Sequence, residues 1–248
     1  MMLDMTLGRL NQLKLYGMAE ALAEQTQATM YSSLSFEERL ALLVDRELTV
    51  RDNRRLTNLL RGARLRHSNA CPEEIDFRPP RGLSKEVILS LAQNGWVKGK
   101  QNVIITGPTG SGKTFIACAL ANSACRSGHS AYYIRLPRLL QEMHIARADG
   151  SYGKLLIRLA KYAILVIDDW GLAKLADRER RDILEVLEDR HGISSTIVAS
   201  QIPTDKWHDT IGDPTIADAV LDRLVHNAHI IAMSMKAESM RKLMSKNK

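Results

Sequence analysis

The chain has 248 residues, 45% of them apolar and 25% charged, the composition of an ordinary globular protein with one large or two modest domains. Its three cysteines, Cys71, Cys118 and Cys125, form no CxxC pair and no zinc-ligand spacing, which argues against a disulfide scaffold and a structural zinc site. No basic segment followed by an apolar core opens the chain and no run approaches about 18 uncharged apolar residues, so a cytoplasmic protein without a membrane span is expected. Lysine and arginine number 35 against 28 acids, which makes an acidic partner such as nucleic acid plausible.

Residues 1–66 carry leucines and alanines at three- and four-residue spacing and no strand-like run, so a small all-α N-terminal domain is expected there. Ser35-Phe36-Glu37-Glu38 has the form of a capping box and predicts a helix start. The apolar side of that helix would use Leu40, Leu43, Val44 and Leu48, continuing through Leu56, Leu59 and Leu60.

Residues 67–82 lose all periodicity among Pro72, Pro79, Pro80 and Gly82 and read as a linker. After them, strand-length apolar runs at 102–106, 131–134, 163–167, 196–200 and 229–233 alternate with helical stretches. That alternation predicts βαβ units and a mostly parallel sheet, hence an α/β domain over 83–248.

Gly107-Pro108-Thr109-Gly110-Ser111-Gly112-Lys113-Thr114 matches GxxxxGK[ST], between the run Val103-Ile104-Ile105 and a helical pattern beginning at Phe115. The glycines let successive N–H groups point inward at phosphate oxygens, at a helix N-terminus that favours an anion. Lys113 would add a full charge for the β- and γ-phosphates, and Thr114 a hydroxyl for Mg²⁺. Cys118 and Cys125 share one face of the following helix and read as buried packing residues, with Gly128 as its C-cap.

The run Ala163-Ile164-Leu165-Val166-Ile167 delivers Asp168 and Asp169 to the carboxyl end of a strand, where open α/β sheets bind ligands. This is a Walker B arrangement. Asp168 would hold Mg²⁺ and Asp169 would orient or deprotonate a water attacking the γ-phosphate, so two adjacent acids point to hydrolysis of ATP and not to transfer by a kinase. The strand Thr196-Ile197-Val198-Ala199-Ser200 ends in Gln201, whose amide could meet the γ-phosphate or its water. Arg223 lies on a helix before the last strand and, by itself, reads as a surface ion-pair partner, of Asp222 or Asp218.

Arg51, Arg54, Arg55, Arg61, Arg64 and Arg66 face a single acid, Asp52, over residues 51–66. At 100° per residue, Arg51, Arg54, Arg55, Arg61 and Arg64 fall opposite Leu56, Leu59 and Leu60, a stripe suited to DNA phosphates or, equally, to solvent. Six phosphate contacts would give a salt slope near −5.4 in log K, at about −0.9 per contact. With no base-reading element and 5% aromatic residues, little sequence specificity and no single-strand stacking are expected.

Taken in order, GPTGSGKT, ILVIDDWG, TIVASQIP, LDRLVHNAHII and ESMRK resemble the ATPase of IstB-type transposition helpers, relatives of DnaC-type helicase loaders within the AAA+ class. The resemblance covers residues 36–241 and includes LSFEERL, which is closer to the helpers than to the loaders. It implies an AAA+ P-loop NTPase with strand order 5-1-4-3-2, self-assembly as a homo-oligomer on duplex DNA, and a partner transposase. It also implies that Gln201 takes the sensor-1 place, that Arg223 is a finger reaching a neighbouring subunit's ATP, and that Arg241 takes the sensor-2 place. Asp169 stands where many AAA+ proteins have glutamate and Gln201 where asparagine is commoner. With 15 residues after Met233 a lidless form is implied. The alternative function is a replicative helicase loader built on the same ATPase core.

Overall fold

The computed structural model describes residues 2–234. The chain divides into two compact units, Met1–Asn58 and Leu59–Lys248.

In the first unit, α1 (Met2–Gln12) and α2 (Tyr16–Gln27) precede α3, which starts at Phe36 and runs to Ala63. The capping box forms: the Ser35 amide donates to Glu38 Oε2 at 2.7 Å and the Glu38 amide donates to Ser35 Oγ at 3.2 Å. Of the expected apolar side of α3, Leu59 and Leu60 pack against the core of the second unit and Leu56 is half-buried, but the earlier part does not pack as predicted, since Leu40, Val44 and Leu48 are exposed and Leu43 is half-buried. Polar contacts dock α2 on α3 instead. Glu47 is buried and accepts from the Gly17 and Met18 amides, at 2.7 and 3.2 Å, at the N-terminus of α2. The Gln25 side-chain amide donates to the Arg39 carbonyl, and Arg39 Nε donates back to Gln25 Oε1. A Cβ on Gly17 would lie 2.8 Å from the Arg46 carbonyl oxygen, so the close approach of the two helices requires glycine there.

The Arg51 hydrogen bond and the two amides hold the Glu47 carboxyl below the ordinary glutamate range. A depressed folded-state pKa contributes stability that is present above the unfolded value and lost as pH falls through the folded one. Protection of the α2 amides against hydrogen exchange, relative to their intrinsic rates, should therefore fall in the full chain on acidification below the ordinary glutamate range. Glu47→Gln should already exchange fast at neutral pH and respond far less to acid.

The second unit begins at Leu59, earlier than the boundary expected after residue 66. Residues 67–82 are not a linker: Ala70 and Ile75 are buried in one core cluster with Ala63, Leu65, Val103, Cys118 and Val166. Irregular, proline-rich backbone has no period to read, yet its apolar side chains cover one face of the sheet. The chain then forms α4 (Lys85–Ala92), capped by Ser84 on the Val87 amide, and α5 (Gly95–Lys98). There follow β1 (Asn102–Thr106), α6 (Lys113–Arg126), β2 (Ala131–Arg135), α7 (Leu136–Ala148), α8 (Tyr152–Ala160) and β3 (Ile164–Trp170). The last elements described are α9 (Asp177–Glu188), β4 (Ser195–Ser200), α10 (Trp207–Ile211), α11 (Pro214–Val225) and β5 (Ala228–Ala232).

The sheet order is β2-β3-β4-β1-β5 with every pairing parallel, the order implied by the AAA+ resemblance. Alternate residues of each strand enter two cores. Val103, Ile105, Ile164, Val166 and Ile197 pack with α4, α5 and α6, whereas Ile104, Leu165, Ile167 and Val198 pack with α7, α8, α9 and α11. Helix α6 is buried almost all round, with Cys118 and Cys125 as reduced core residues whose thiols burial pushes up to about 11. It ends as expected at Gly128, φ +85°, where the Gly128 and His129 amides return to the Cys125 and Ala124 carbonyls. No helix among the described residues is long and apolar enough to cross a membrane.

Candidate functional site

The loop between β1 and α6 is shaped by Gly107, Gly110 and Gly112, at φ +149°, +83° and +99°. A Cβ on Gly107 would stand 2.7 Å from the Met233 carbonyl oxygen, which the backbone after β5 brings over the end of β1. The Gly107 amide donates to the Ser200 carbonyl at 3.1 Å, so the loop leaves the sheet tied to the end of β4. Arg81, buried and outside the motif, donates to the Ser111 carbonyl at 2.8 Å and to the Asp76 carbonyl. Burial lowers its pKa from the ordinary arginine value. Lys113 Nζ donates to the Pro108 carbonyl at 2.9 Å, and Thr109 Oγ1 donates to Gln201 Oε1 at 2.7 Å. Phe115 tilts against His67 with ring centroids 5.8 Å apart.

Asp168 is 2% exposed. Its Oδ2 accepts from Thr114 Oγ1 at 2.9 Å and from the Tyr133 hydroxyl at 2.7 Å, and its Oδ1 accepts from the Asp169 amide at 2.9 Å. Asp169 follows at φ +60°, a left-handed conformation inside a strand. Ile167 pairs with Val198 and Trp170 with Ser200, so two residues of β3 oppose the single Ala199 of β4. This bulge shifts the side-chain alternation by one, and Trp170 joins Leu165 and Ile167 in the same core. Asp169 is thereby turned away from a simple strand position and forms an ion pair with Arg135 at 2.5 Å. Asparagine and aspartate are the non-glycine residues that tolerate this backbone best, which favours Asp over the longer Glu at this position.

One pocket is lined by Thr109, Gly110, Gly112, Lys113, Thr114, Phe115, Asp168, Asp169 and Gln201, together with Ala199, Arg66 and His67. Gly107, Pro108 and Ser111 complete the loop behind it. Arg66, expected in the DNA stripe, is thus at the phosphate-loop pocket. Arg223 is elsewhere: Asn102, the first residue of β1, donates to the Arg223 and Leu224 carbonyls, a strand length of about 13 Å from the loop that follows β1. The Arg223 side chain pairs with Glu188 and donates to the Ala219 carbonyl at 2.9 Å. Arg241, and with it the expected absence of a lid, lies outside the described residues. Of the remaining stripe, Arg51, Arg54, Arg55, Arg61 and Arg64 are exposed, with Arg51 paired to Glu47, Arg54 over the Tyr16 ring and Arg64 over the Tyr132 ring.

Sequence reasoning missed Arg81, Tyr133 and Arg135. Tyr133 and Arg135 share one parity of β2, and that strand's place beside β3 brings them to the acid pair. A polar residue at the carboxyl end of an apolar run was the signal. Arg81 carried none, since its segment has no period.

Residues 8–248 match the family model described as IstB-like ATP binding protein. The chain belongs to this family. An IS1162 protein of Pseudomonas fluorescens, named for ATP binding in that insertion sequence, is 50% identical to this IstB-like chain over 82% of it and 88% of the relative. A Sinorhizobium fredii protein with an insertion sequence ATP-binding name is 46% identical over 96% of both. Among solved structures, the DnaC helicase loader matches with a TM-score of 0.58 and 19% identity over 68% of this chain and 98% of the other. AMPPCP-bound DnaA from Aquifex aeolicus matches with a TM-score of 0.57 and 16% identity over 72% of this chain, which spans 54% of the DnaA chain. At these identities the structural matches establish a shared AAA+ fold.

Proposed function

We propose that this IstB-like chain is an ATP-hydrolysing, DNA-binding transposition helper. It self-assembles on duplex target DNA and, in its ATP state, recruits or stimulates a partner transposase. The observation that carries the reading is the convergence of Thr114 and Asp168, 2.9 Å apart, at the mouth of a glycine loop whose helix begins at Lys113, with a second acid next in sequence.

Amides of Gly110, Gly112, Lys113 and Thr114 bind the phosphate chain at the α6 N-terminus, and Lys113 exchanges the Pro108 carbonyl for β- and γ-phosphate oxygens. Thr114 and Asp168 offer hard oxygen donors of the type that suits Mg²⁺, which when bound neutralises developing phosphate charge. Tyr133 holds Asp168 in one orientation. Asp169, steadied by Arg135, accepts a proton from or orients the attacking water, and Gln201 faces the same end of the pocket. Arg223 acts on the ATP of an adjoining copy, so hydrolysis accompanies assembly.

Support for this reading comes from relatives named for insertion sequences and from the likeness of the fold to DnaA and DnaC. Purified protein given Mg²⁺ and ATP should release inorganic phosphate, faster when duplex DNA is present. Phosphate transfer to a small acceptor, or no turnover with DNA, would contradict it.

DNA contact is assigned to Arg51, Arg54, Arg55, Arg61 and Arg64, with Arg66 now removed from the set. Five phosphate contacts give a slope of log K against log salt near −4.5, at about −0.9 each. Titrations of duplexes of unrelated sequence should give that slope with similar affinities. Arg55→Ala should make the slope shallower by about 0.9 on every duplex. A slope near zero would remove the stripe from DNA binding.

A further inference from the structure

Arg66 emerges three residues after α3 from a fixed stretch of backbone. Leu65 is buried in the core with Cys118 and Tyr133. From there the Arg66 side chain lines the pocket of Lys113, Thr114 and Asp168. On the wall of that pocket the Tyr133 hydroxyl donates to Asp168 Oδ2 at 2.7 Å and Thr114 Oγ1 donates to the same oxygen at 2.9 Å. Arg66 thus brings a guanidinium to the pocket of Thr114 and Asp168 from a segment outside the phosphate loop. A triphosphate brings about four negative charges to a pocket that already holds two carboxylates, one of them neutralised by Arg135. Lys113 and Arg66 are the lysine and arginine that line it. A guanidinium fork suits phosphate oxygens and, unlike the compact lysine charge, can bind two of them at once.

We propose that Arg66 is a phosphate-binding residue of the nucleotide pocket in its own chain, contacting the terminal phosphate of bound ATP. The inference rests on the ATP reading above and adds to it a cation that distinguishes ATP from ADP. Because Arg66 belongs to the segment that carries Arg61 and Arg64, the same stretch of chain then serves both phosphate partners.

The test uses the full chain with Mg²⁺ and no DNA, and measures affinity for fluorescent analogues of ATP and ADP in wild type, Arg66→Ala and Arg66→Lys. Arg126→Ala, which removes one exposed charge paired with Glu73, controls for net charge. Arg66→Ala should weaken ATP about 10-fold or more and ADP by less than about 3-fold, with partial recovery in Arg66→Lys and no change in Arg126→Ala. The salt slope of DNA binding should be unchanged in all of them. If wild type binds ATP while Arg66→Ala keeps its ATP-to-ADP preference, the assignment fails. A slope shallower by about 0.9 with intact nucleotide affinity would return Arg66 to DNA. If wild type binds no ATP, the reading beneath the inference fails together with it.

Discussion

Arg223→Ala is expected to lower ATP turnover of the DNA-assembled protein by about 10³-fold or more while leaving ATP affinity nearly unchanged. Arginine fingers supply roughly 10³ to 10⁵ in rate in other phosphate-transfer systems by stabilising charge that develops only in the transition state. Within one chain this arginine has no route to the pocket, because its backbone is hydrogen-bonded to the first residue of β1 and the phosphate loop follows the last. Its ion pair with Glu188 holds the Glu188 carboxyl below the ordinary range and stores the guanidinium on the flank of its own subunit. On assembly the guanidinium would leave Glu188 for phosphate oxygens of an adjoining copy. Phosphate release measured with DNA present checks the prediction. Binding of a fluorescent ATP analogue, measured alongside, separates loss of catalysis from loss of the pocket.

Asp169→Asn is expected to lower phosphate release by about 10²- to 10⁴-fold, the usual contribution of a positioned general base, with ATP binding retained. The substitution is a clean probe because asparagine accepts the same left-handed backbone, so the bulge and the Trp170 packing behind it survive. Asp169→Glu should not increase turnover despite its longer reach, because glutamate fits φ near +60° less well and would strain the bulge. An increase with Glu would mean that reach, not backbone geometry, sets the rate. If Asp169→Asn leaves phosphate release nearly intact, ATP binding alone does the switching.

The parts of this molecule that could be read from its sequence are those with a strict period or a motif whose chemistry dictates its backbone. The β1 run, the glycine loop and α6 came out in order because a buried strand, positive-φ glycines and a helix N-terminus each leave a local mark. The carboxylate of Asp168 was legible for the same reason, as the end of an unbroken apolar strand. Asp169 was legible as an acid but not as a bulge, since one extra residue in β3 shows only against the register of β4. The apolar side of α3 from Leu40 to Leu48 was misread because a unit as small as Met1–Asn58 buries little. Its helices meet through Gly17, Gln25, Arg39 and Glu47, and polar docking has no hydrophobic period. The segment 67–82 looked like a linker by composition, yet it places Ile75 in the core and Arg81 against the phosphate loop. Arg66 was grouped with the stripe by the local run of arginines and not by helical phase, and beyond the end of α3 it lines the phosphate-loop pocket.

An equal mixture of Asp169→Asn and Arg223→Ala proteins, assembled on duplex DNA with Mg²⁺ and ATP, asks directly whether one chain completes the pocket of the next. Each variant alone should be nearly inactive. In the mixture, the acid of an Arg223→Ala chain can meet the arginine of an Asp169→Asn neighbour, and random assembly through a head-to-tail interface should restore roughly a quarter of wild-type phosphate release. A mixture no more active than either variant alone would show that every pocket works, or fails, within its own chain.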